Sequence, residues 1–351
     1  MTWIAKPQIG HPGLPKNTLG LTRRDYEGGM STLCAGCGHD SITAAVVEAL
    51  FQLNLAPHRI VKLSGIGCSG KTPAYFVNQA HGFNGVHGRM PAVATGAAGA
   101  NRELTYVGIS GDGDSLSIGL GQLAHAIRRN VDILYVIENN GVYGLTKGQL
   151  SASADVGSTP KRGAANQQPP IDPVLLALSL GATFVARSFS GDKEHLGPLL
   201  KAGVRHRGFS LIDIVSPCVT FNNHEGSTKS YHYTREHLTE ITDADFVEPV
   251  PEITASYAPG EVTDVRMHDG SMLRLRKLAE GFDPTDRDKA YAYISKRLQK
   301  GEVVTGLIHA NAEALEMHGV SGTVATPLVD IPFEDLCPGS GALDKLQEEF
   351  R

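Results

Sequence analysis

Two polar clusters follow two apolar runs in the first half of the chain. Asp112 comes directly after the run Thr105–Ser110, within Gly-Asp-Gly, and Asn140 follows the run Val131–Ile137. A helix-length segment separates the runs, which predicts two strands whose carboxyl ends lie at the ligand-binding edge of an open α/β sheet. Mg²⁺ is usually bound by one or two carboxylates together with substrate phosphates. We therefore predict a magnesium–diphosphate site. Its protein ligands would be the Asp112 carboxylate, the Asn140 amide and a backbone carbonyl just past Asn140.

Four cysteines indicate a second site. Cys34 and Cys37 are separated by two residues just before a predicted helix, Cys68 lies in a glycine-rich loop, and Cys218 follows a predicted strand. Cysteine thiolates bind [4Fe–4S] clusters, but a Cys-x-x-Cys pair with two further cysteines also suits zinc. A redox dithiol with two unrelated cysteines has the same spacing, so spacing alone leaves three alternatives open. Cys337, near the carboxyl end, is expected to be a bystander.

Length and composition restrict the class of protein. A chain of 351 residues with 41% hydrophobic and 20% charged residues can bury a sizeable core. The net charge of −5 gives no general attraction to nucleic acid or to an anionic membrane, and no apolar run approaches the roughly 20 residues of a membrane span. The amino terminus lacks the apolar core of a signal peptide. We therefore expect a cytoplasmic protein with reduced thiols and no nucleic-acid or membrane partner.

Predicted helices and strands alternate up to about residue 215. The further predicted strands cover residues 60–64, 182–189 and 209–215, and the predicted helices cover 41–54, the segment after 114, a helix opened by Asp172-Pro173, and 191–208. This alternation predicts an α/β fold with a mostly parallel sheet flanked by helices. Asp40 or Ser41 is the expected N-cap of the first helix.

Three regions are expected from composition and pattern. Residues 1–29, rich in Pro and Gly, are predicted to form an N-terminal arm, and residues 30–222 are predicted to form the α/β domain. Residues 223–351 form a C-terminal extension of unclear role, with a predicted hairpin over 263–275 about Asp269-Gly270. Residues 157–170 predict a polar connection of uncertain conformation.

The predicted magnesium–diphosphate site and the four cysteines together resemble the β subunit of the 2-oxoacid:ferredoxin oxidoreductases, which are thiamine diphosphate enzymes. The resemblance spans roughly residues 30–222, and its motifs occur in the family's order. They are CAGCGH (34–39), GIGCSGK (65–71), HGR (87–89), GDGDSLSIG (111–119) and NNGVYGLTKGQ (139–149), with Cys218 in SPCVTFN. Several co-linear motifs are more specific than any one of them, and the resemblance implies the thiamine diphosphate-binding fold of the diphosphate type.

The resemblance implies three sets of site residues. Asp112, Asn140 and the Val142 carbonyl would bind Mg²⁺, and Cys34, Cys37, Cys68 and Cys218 would bind a [4Fe–4S] cluster. Thiamine diphosphate would be bound by Ile66, Gly67, His87, Gly88, Gly111, Gly113, Asp114, Leu145 and Thr146. Glycines in such a turn permit close approach of backbone N–H groups to the diphosphate.

Two lysines lie within these motifs and are expected to act on the substrate. Lys71 follows Cys68 by three residues, and Lys147 lies in GLTKGQ. A lysine beside a cofactor pocket can bind a carboxylate as a point charge. A lysine at position 147 resembles the 2-oxoglutarate-type enzymes, whereas pyruvate-type relatives tend to carry a small or neutral residue. The resemblance therefore favours 2-oxoglutarate.

The implied reaction is the oxidative decarboxylation of 2-oxoglutarate with coenzyme A to succinyl-CoA and CO₂. Electrons would pass through the cluster to ferredoxin, and the reverse reaction would fix CO₂. The pattern of a thiamine pyrimidine-binding domain is not found in the sequence, so an α (or fused γ-α) partner would supply it in an αβ or (αβ)₂ assembly. Alternatives are a pyruvate or branched-chain 2-oxoacid enzyme, a non-redox thiamine diphosphate lyase, and a zinc-stabilised binding module.

Overall fold

A central sheet of eight strands organises the part of the chain described by the computed structural model, namely residues 11–160, 164–241, 244, 246, 258, 261–266, 272–276, 282–337 and 339–350. The strands are β1 (Ile60–Ser64), β2 (His81–Asn84), β3 (Thr105–Gly111), β4 (Ile133–Asn139), β5 (Val142–Tyr143), β6 (Gln149–Leu150), β7 (Phe184–Phe189), β8 (Phe209–Val215), β9 (Leu238–Glu240), β10 (Val262–Arg266), β11 (Met272–Arg276) and β12 (Val303–Ala310). The order in the central sheet is β2-β1-β3-β4-β8-β7-β12-β9.

Neighbouring strands of this sheet run parallel except for β7 and β12, which pair antiparallel. In the centre, β3 pairs with β4 from Val107↔Leu134 to Gly111↔Glu138. Every residue of β4 is buried, as expected for an apolar strand in a parallel sheet with both faces covered. The predicted α/β class with a mostly parallel sheet is confirmed.

Helices cover both faces of the sheet and bury two separate cores. The helices are α1 (Gly38–Gln52), α2 (Met90–Ala100), α3 (Leu120–Arg128), α4 (Pro173–Ser179), α5 (Lys193–Arg205), α6 (Tyr231–His237), α7 (Arg287–Leu298), α8 (Met317–Ser321), α9 (Phe333–Leu336) and α10 (Ser340–Glu348). One core contains apolar residues of α2, α3, α4 and α7, and the other contains those of α1 and α5.

Two predicted helices differ from the structure at their amino ends. Helix α1 begins at Gly38 with Cys37 as its N-cap, not Asp40 or Ser41, because the first turn is held by contacts of His39 with distant loops. The helix predicted after residue 114 is divided into a π-helical turn, Gly113–Ile118, and α3. Asp172 caps α4 as predicted, since its side chain accepts a hydrogen bond from Leu175 N at 2.9 Å.

The end of the predicted N-terminal arm packs against the domain instead of lying apart from it. Tyr26 is fully buried, its hydroxyl donates to Leu55 O at 2.7 Å, and Asn17 Nδ2 donates to the Tyr26 hydroxyl at 2.9 Å. An aromatic ring that finds both an apolar site and a hydrogen-bond partner anchors this Pro- and Gly-rich segment.

The predicted C-terminal extension contributes to the sheet. Strands β9 and β12 lie at its edge, and α7 packs on β12 and α4. The predicted hairpin is confirmed by the antiparallel pairing of β10 with β11, although its turn at Asp269-Gly270 lies outside the described residues. Residues 161–163 of the predicted polar connection also lie outside them.

Asn130 connects three parts of the fold at the carboxyl end of α3. Its φ of 49° is in the left-handed region, as is common just past a helix end. Its Oδ1 accepts hydrogen bonds from Phe209 N at 2.7 Å and Thr183 Oγ1 at 2.8 Å, while its Nδ2 donates to Leu315 O at 2.9 Å. One side chain thus positions the starts of β7 and β8 and the C-terminal segment.

We predict that Asn130→Ala lowers the free energy of unfolding by about 2–4 kcal/mol, because hydrogen bonds are lost and a Cβ-bearing residue without a compensating side chain remains left-handed. Asn130→Gly loses the same bonds but tolerates the conformation, and should be about 1 kcal/mol less harmful. Urea denaturation of both variants measures the difference. Equal losses would show that backbone conformation has no part in the effect.

Candidate active site

The carboxyl ends of β1, β3 and β4 border a cavity of about 100 Å³. The cavity gathers residues from loops that are distant in the sequence. Those predicted to bind a cofactor or metal and found in its lining are Ile66, Gly67, Cys68, His87, Gly111, Asp112, Gly113, Asp114, Asn140, Val142, Leu145 and Thr146. Gly88 is not in the lining, but its N–H donates to Asp114 Oδ1 at 2.7 Å.

Asp112 is a buried carboxylate that hydroxyl and amide groups surround. Its Oδ2 accepts hydrogen bonds from Ser151 Oγ and, at 2.8 Å, from Ser153 Oγ, and its Oδ1 accepts from Asn140 N at 3.2 Å. No ion pair of the described residues includes it. Burial raises the pKa of Asp112, and the hydrogen bonds only partly offset this effect. A bound cation would supply the missing positive charge.

The oxygens around Asp112 are of the kinds that Mg²⁺ prefers. The Asn140 side chain is nearly fully buried, and its Oδ1 accepts a hydrogen bond from Val142 N at 3.0 Å, which holds the amide toward the loop that contains Val142. A carboxylate, an amide oxygen and a nearby backbone carbonyl form a hard oxygen donor set. These residues therefore fit a magnesium ion that is completed by phosphate oxygens.

A buried polar network lies behind Asp112. Ser153 Oγ is also 2.9 Å from Asn139 Oδ1, and Asn139 Nδ2 donates to Asp213 Oδ1 at 2.9 Å. Arg187 donates to Asp213 Oδ2 at 2.7 Å and to Asp172 Oδ2 at 2.6 Å. Although burial acts to lower it, the two carboxylates raise the pKa of Arg187. The network fixes the orientation of Asp112 from the protein side, as outer-shell groups do at metal sites.

Asp114 joins three segments that border the cavity. Its Oδ1 accepts hydrogen bonds from Gly88 N at 2.7 Å and Ile66 N at 3.3 Å and contacts His87 Nδ1, and its Oδ2 accepts from Ser110 Oγ at 2.6 Å. Asp114 thus holds together three segments of the cavity wall. The His87 ring is held by Asp114 while it faces the cavity.

Gly113 must be a glycine because Tyr143 lies directly above it. A Cβ at position 113 would be 2.5 Å from the Tyr143 ring, and the Tyr143 hydroxyl donates to Gly113 O at 3.2 Å. The aromatic ring thereby forms one wall of the cavity. Sequence reasoning did not single out Tyr143, although it lies in the quoted motif NNGVYGLTKGQ.

The sulfur atoms of Cys68 and Cys218 flank Gly144. A Cβ on Gly144 would be 3.4 Å from Cys68 Sγ and 3.7 Å from Cys218 Sγ. Burial raises the pKa of Cys37 to about 12, and the nearby Glu138, Cys218 and Cys68 add to this rise. Burial also raises the pKa of Cys68, and Cys218 and Cys34 contribute to it. The four predicted cysteine ligands are therefore electrostatic neighbours at the edge of the cofactor cavity.

Cys337 is exposed beside α9, and it is not among the groups that shift the pKa of Cys37 or Cys68. Among the described residues, no three His, Cys, Asp or Glu side chains form a group that could hold one metal ion.

A buried histidine connects the three cysteine loops. His39, two residues after Cys37, places Nδ1 2.7 Å from Ser216 Oγ and Nε2 3.2 Å from Ser69 Oγ. Ser69 follows Cys68, and Ser216 precedes Cys218 by two residues. One imidazole thus sets the spacing of all the loops that carry the four thiols. The sequence offered a signal, since His39 ends the motif CAGCGH, but it did not indicate this role.

His39 and Glu138 are close but do not form an ion pair at neutral pH. Their atoms Nδ1 and Oε2 are 3.7 Å apart, and both side chains are buried. Burial lowers the pKa of His39 to about 4 and raises the pKa of Glu138 well above its usual range. His39 is therefore uncharged at neutral pH, burial disfavours the ionised form of Glu138, and Thr72 Oγ1 donates a hydrogen bond to Glu138 Oε2 at 3.0 Å.

The sequence of this chain is similar to those of thiamine pyrophosphate enzymes and of one group of oxidoreductase subunits. Residues 65–214 match the family model described as thiamine pyrophosphate enzyme, C-terminal TPP binding domain. A β subunit of 2-oxoacid:ferredoxin oxidoreductase from Sulfolobus sp is 41% identical over 221 residues, covering 62% of this chain and 72% of that protein. The chain belongs to this family. It is a β subunit of a 2-oxoacid:ferredoxin oxidoreductase, as the sequence motifs indicated.

Two further relatives carry names that specify 2-oxoglutarate. A 2-oxoglutarate oxidoreductase subunit KorB from Mycobacterium tuberculosis is 42% identical over 191 residues, covering 54% of this chain and 51% of that protein. A solved 2-oxoglutarate:ferredoxin oxidoreductase from Magnetococcus marinus, with 2-oxoglutarate, coenzyme A and succinyl-CoA bound, is similar over 86% of this β subunit and 89% of that chain. Its TM-score is 0.68 at 29% identity.

The two predicted substrate lysines of this β subunit are not in the cofactor cavity. Lys147 is exposed on the loop that follows Thr146, with a left-handed φ of 83° that is unusual for a residue with a side chain. Lys71 lies on the 3₁₀ helix Ser69–Tyr75 and lines a different cavity.

None of the helices in the described ranges is both long and apolar enough to cross a membrane.

We predict that Asp112→Asn abolishes stabilisation of this β subunit by Mg²⁺ with thiamine diphosphate. Ligand at about a hundred times its Kd stabilises a protein by about 2.7 kcal/mol, and the amide cannot provide the ionic ligand. Because burial raises the pKa of Asp112, ionisation costs stability as the pH rises through that value, so the cofactor-free variant should lose little.

Urea denaturation with and without both cofactors measures this effect. Asp132→Asn is the control, since burial also raises the pKa of Asp132, which lies at the opposite end of β4. The control should retain the full gain. An equal gain in Asp112→Asn would exclude Asp112 as a ligand.

Proposed function

We propose that this β subunit belongs to a 2-oxoglutarate:ferredoxin oxidoreductase. The complex would convert 2-oxoglutarate and coenzyme A to succinyl-CoA and CO₂, with electrons passing through a [4Fe–4S] cluster to ferredoxin. The same residues would serve the reverse reaction, which fixes CO₂. The observation that carries the proposal is the position of Gly144, which lines the cofactor cavity while two cysteine sulfurs lie against it.

Asp112, Asn140 and the Val142 carbonyl are the proposed ligands of Mg²⁺. Gly111 and Gly113 allow a diphosphate to approach the backbone at the end of β3, and Tyr143 forms a wall of the cavity. Thiamine diphosphate, when bound, supplies the carbanion chemistry that decarboxylation of a 2-oxoacid requires. The protein's contribution is to orient the cofactor and to exclude water with these buried walls.

Cys34, Cys37, Cys68 and Cys218 are the proposed ligands of the cluster. Four thiolates are the usual ligands of [4Fe–4S], and Cys68 lines the cofactor cavity directly. The raised pKa values of Cys37 and Cys68 belong to the thiols, whereas a bound metal centre deprotonates its thiols. His39 is the proposed positioning residue, because it holds Ser69 and Ser216 while remaining uncharged.

Lys147 is the proposed determinant of 2-oxoglutarate specificity, and Lys71 is proposed to assist at the substrate. Lys147 follows Thr146 of the cavity and is exposed on this side of the chain, where its ammonium can reach a carboxylate distant from the reacting carbon. Strained backbone of this kind concentrates at functional sites. Support comes from the M. tuberculosis and M. marinus relatives, whose names specify 2-oxoglutarate.

An α subunit, or a fused γ-α subunit, is the proposed partner in an αβ or (αβ)₂ complex. The cavity is small, about 100 Å³, and a surface of the partner would complete the cofactor site. Large apolar side chains in or near its lining remain exposed: Leu145 of the lining is 50% exposed, Val86, which precedes His87, 75%, and Ile118, close to Gly88, 45%. Such exposed apolar groups are typical of an interaction surface.

We predict that the complex, purified without oxygen, contains iron, sulfide and thiamine diphosphate. His39→Ala should retain thiamine diphosphate but lose most of its iron, because the cysteine loops lose their shared contact. His195→Ala is a matched control, since this buried histidine on α5 contacts Ser188 and is not part of the cysteine loops.

The measurement is iron, sulfide, zinc and thiamine content per complex. Thiamine without iron would favour the non-redox lyase, and stoichiometric zinc without thiamine would favour the zinc-stabilised module. Full iron content in His39→Ala would contradict the positioning role of His39.

We predict that Lys147→Gly lowers kcat/KM for 2-oxoglutarate by at least about tenfold, which corresponds to the loss of one charge-assisted contact, while activity with pyruvate is unchanged or improved. Glycine is well suited to the left-handed backbone, so folding should be unaffected. Lys147→Arg keeps the charge and should retain part of the activity. Unchanged discrimination between the two substrates would favour the pyruvate or branched-chain alternative.

A further inference from the structure

A cavity of about 530 Å³ lies on the side of the sheet that α4 and α7 cover, and we call it the α4–α7 cavity. Asn139 and Ser153, which belong to the network behind Asp112, line it together with Arg187. A volume of this size is typical of cavities that bind small organic molecules. Its described lining contains none of the residues proposed above to bind the cofactor, the cluster or the substrate. The α4–α7 cavity is therefore separate from the proposed active site.

Arg187 lines this cavity and has hydrogen-bonding capacity that the protein does not use. The residue is only 3% exposed, its Nε donates to Asp213 at 2.7 Å, and its Nη2 donates to Asp172 at 2.6 Å. No contact among the described residues uses Nη1 of this side chain. A guanidinium has five N–H donors, and a buried donor without an acceptor costs free energy. A carboxylate in the cavity would supply the missing acceptor.

An ion pair adds both signs of charge to the same lining. Lys229 Nζ donates to Asp155 Oδ2 at 3.3 Å, and Thr228 donates to the same oxygen. Burial acts to raise the pKa of Asp155, but Lys229, Thr228 and Arg187 outweigh it and lower the pKa, so this carboxylate is ionised at neutral pH. Within the described chain, Asp155 Oδ1 and two N–H groups of Lys229 have no partner. An anionic acceptor thus lies beside cationic donors.

The balance of charge in the lining disfavours a simple anion. Among the described lining residues, the carboxylates outnumber the cationic groups, since Asp155, Asp172, Asp213 and Glu302 face Arg187 and Lys229. An added anion would increase this excess of negative charge, whereas an added cation would leave Arg187 Nη1 without an acceptor. A ligand that carries both a carboxylate and an ammonium group satisfies both requirements.

Apolar side chains form the remaining wall of the cavity. Leu175 and Leu176 of α4, Leu298 of α7 and Val303 of β12 line it, and each is half-buried. An apolar group that covers them would remove further apolar surface from water, which is favourable. The ligand should therefore carry an apolar portion next to its charged groups.

We propose that the α4–α7 cavity binds an α-amino acid with an apolar side chain. The carboxylate of the amino acid would accept hydrogen bonds from Arg187 and Lys229, and its ammonium group would donate to Asp155. Its side chain would pack against Leu175 and Leu176. This site is additional to those of the proposed reaction, whose substrates do not include an amino acid.

The test measures binding of isotopically labelled L-leucine to the purified complex, loaded with thiamine diphosphate and Mg²⁺, by equilibrium dialysis. Two unlabelled analogues then compete for the site. Isocaproate lacks the ammonium group, and isoamylamine lacks the carboxylate. Each should compete at least about tenfold more weakly than L-leucine, because each loses charge-assisted hydrogen bonds.

Two variants locate the bound L-leucine. Lys229→Met removes a donor to the carboxylate, and Leu175→Trp fills the cavity from α4, so each should weaken binding by about tenfold or more. Lys296→Met is the matched control, because Lys296 is exposed on α7 and is not in the described lining. This control should leave the Kd unchanged, and thiamine diphosphate content checks that all three variants are folded.

Weakened binding in Lys229→Met and Leu175→Trp, together with weak competition by both analogues, supports the proposal. No binding of L-leucine would overturn it, as would an unchanged Kd in Leu175→Trp. Equal competition by isocaproate or isoamylamine would also overturn it, because the site would then not require both charges. The competition experiment gives this answer without any variant.

Discussion

Parallel pairing of β3 with β4 is the constraint on which the site depends. The register that pairs Gly111 with Glu138 brings Asp112 and Asn140 past the end of the sheet together. Because β1 and β8 pair on either side in the same direction, the loops of Cys68 and Cys218 reach that edge as well. One sheet edge therefore gathers the oxygen ligands and the thiols, and the helices on both faces bury the strands that fix this arrangement.

Buried polar groups then fix the positions of these loops. Asp112 is held by Ser151 and Ser153, and Ser153 continues into the network that ends at Arg187. His39 holds the cysteine loops in a comparable way, without charge. Each group is expensive to bury unless it is satisfied. Hydrogen bonds within the protein thus hold the walls of the cofactor cavity, and the cavity itself is open toward the ligand.

The open side of the cavity connects this subunit to its proposed partner. Exposed Leu145 lines the cavity, and Lys71, three residues after Cys68 of its wall, lines a second cavity. Cofactor and cluster would meet around the short segment that contains Cys68, which is consistent with a reaction that moves electrons and an acyl group in one complex.

The sequence by itself determined five strands of the central sheet, β1, β3, β4, β7 and β8, their parallel direction and the polar residue types at their ends, because apolar runs and alternation reflect local chain preferences and burial. It did not determine β2, β9 or the antiparallel strand β12. It could not give the roles of His39, Tyr143 or Ser153, since these depend on contacts between segments far apart in the chain. It predicted that Lys71 acts on the substrate, and the structure places Lys71 in the lining of a cavity other than the cofactor cavity. Only the tertiary structure decided these matters, because strand order and loop packing determine which side chains share a space.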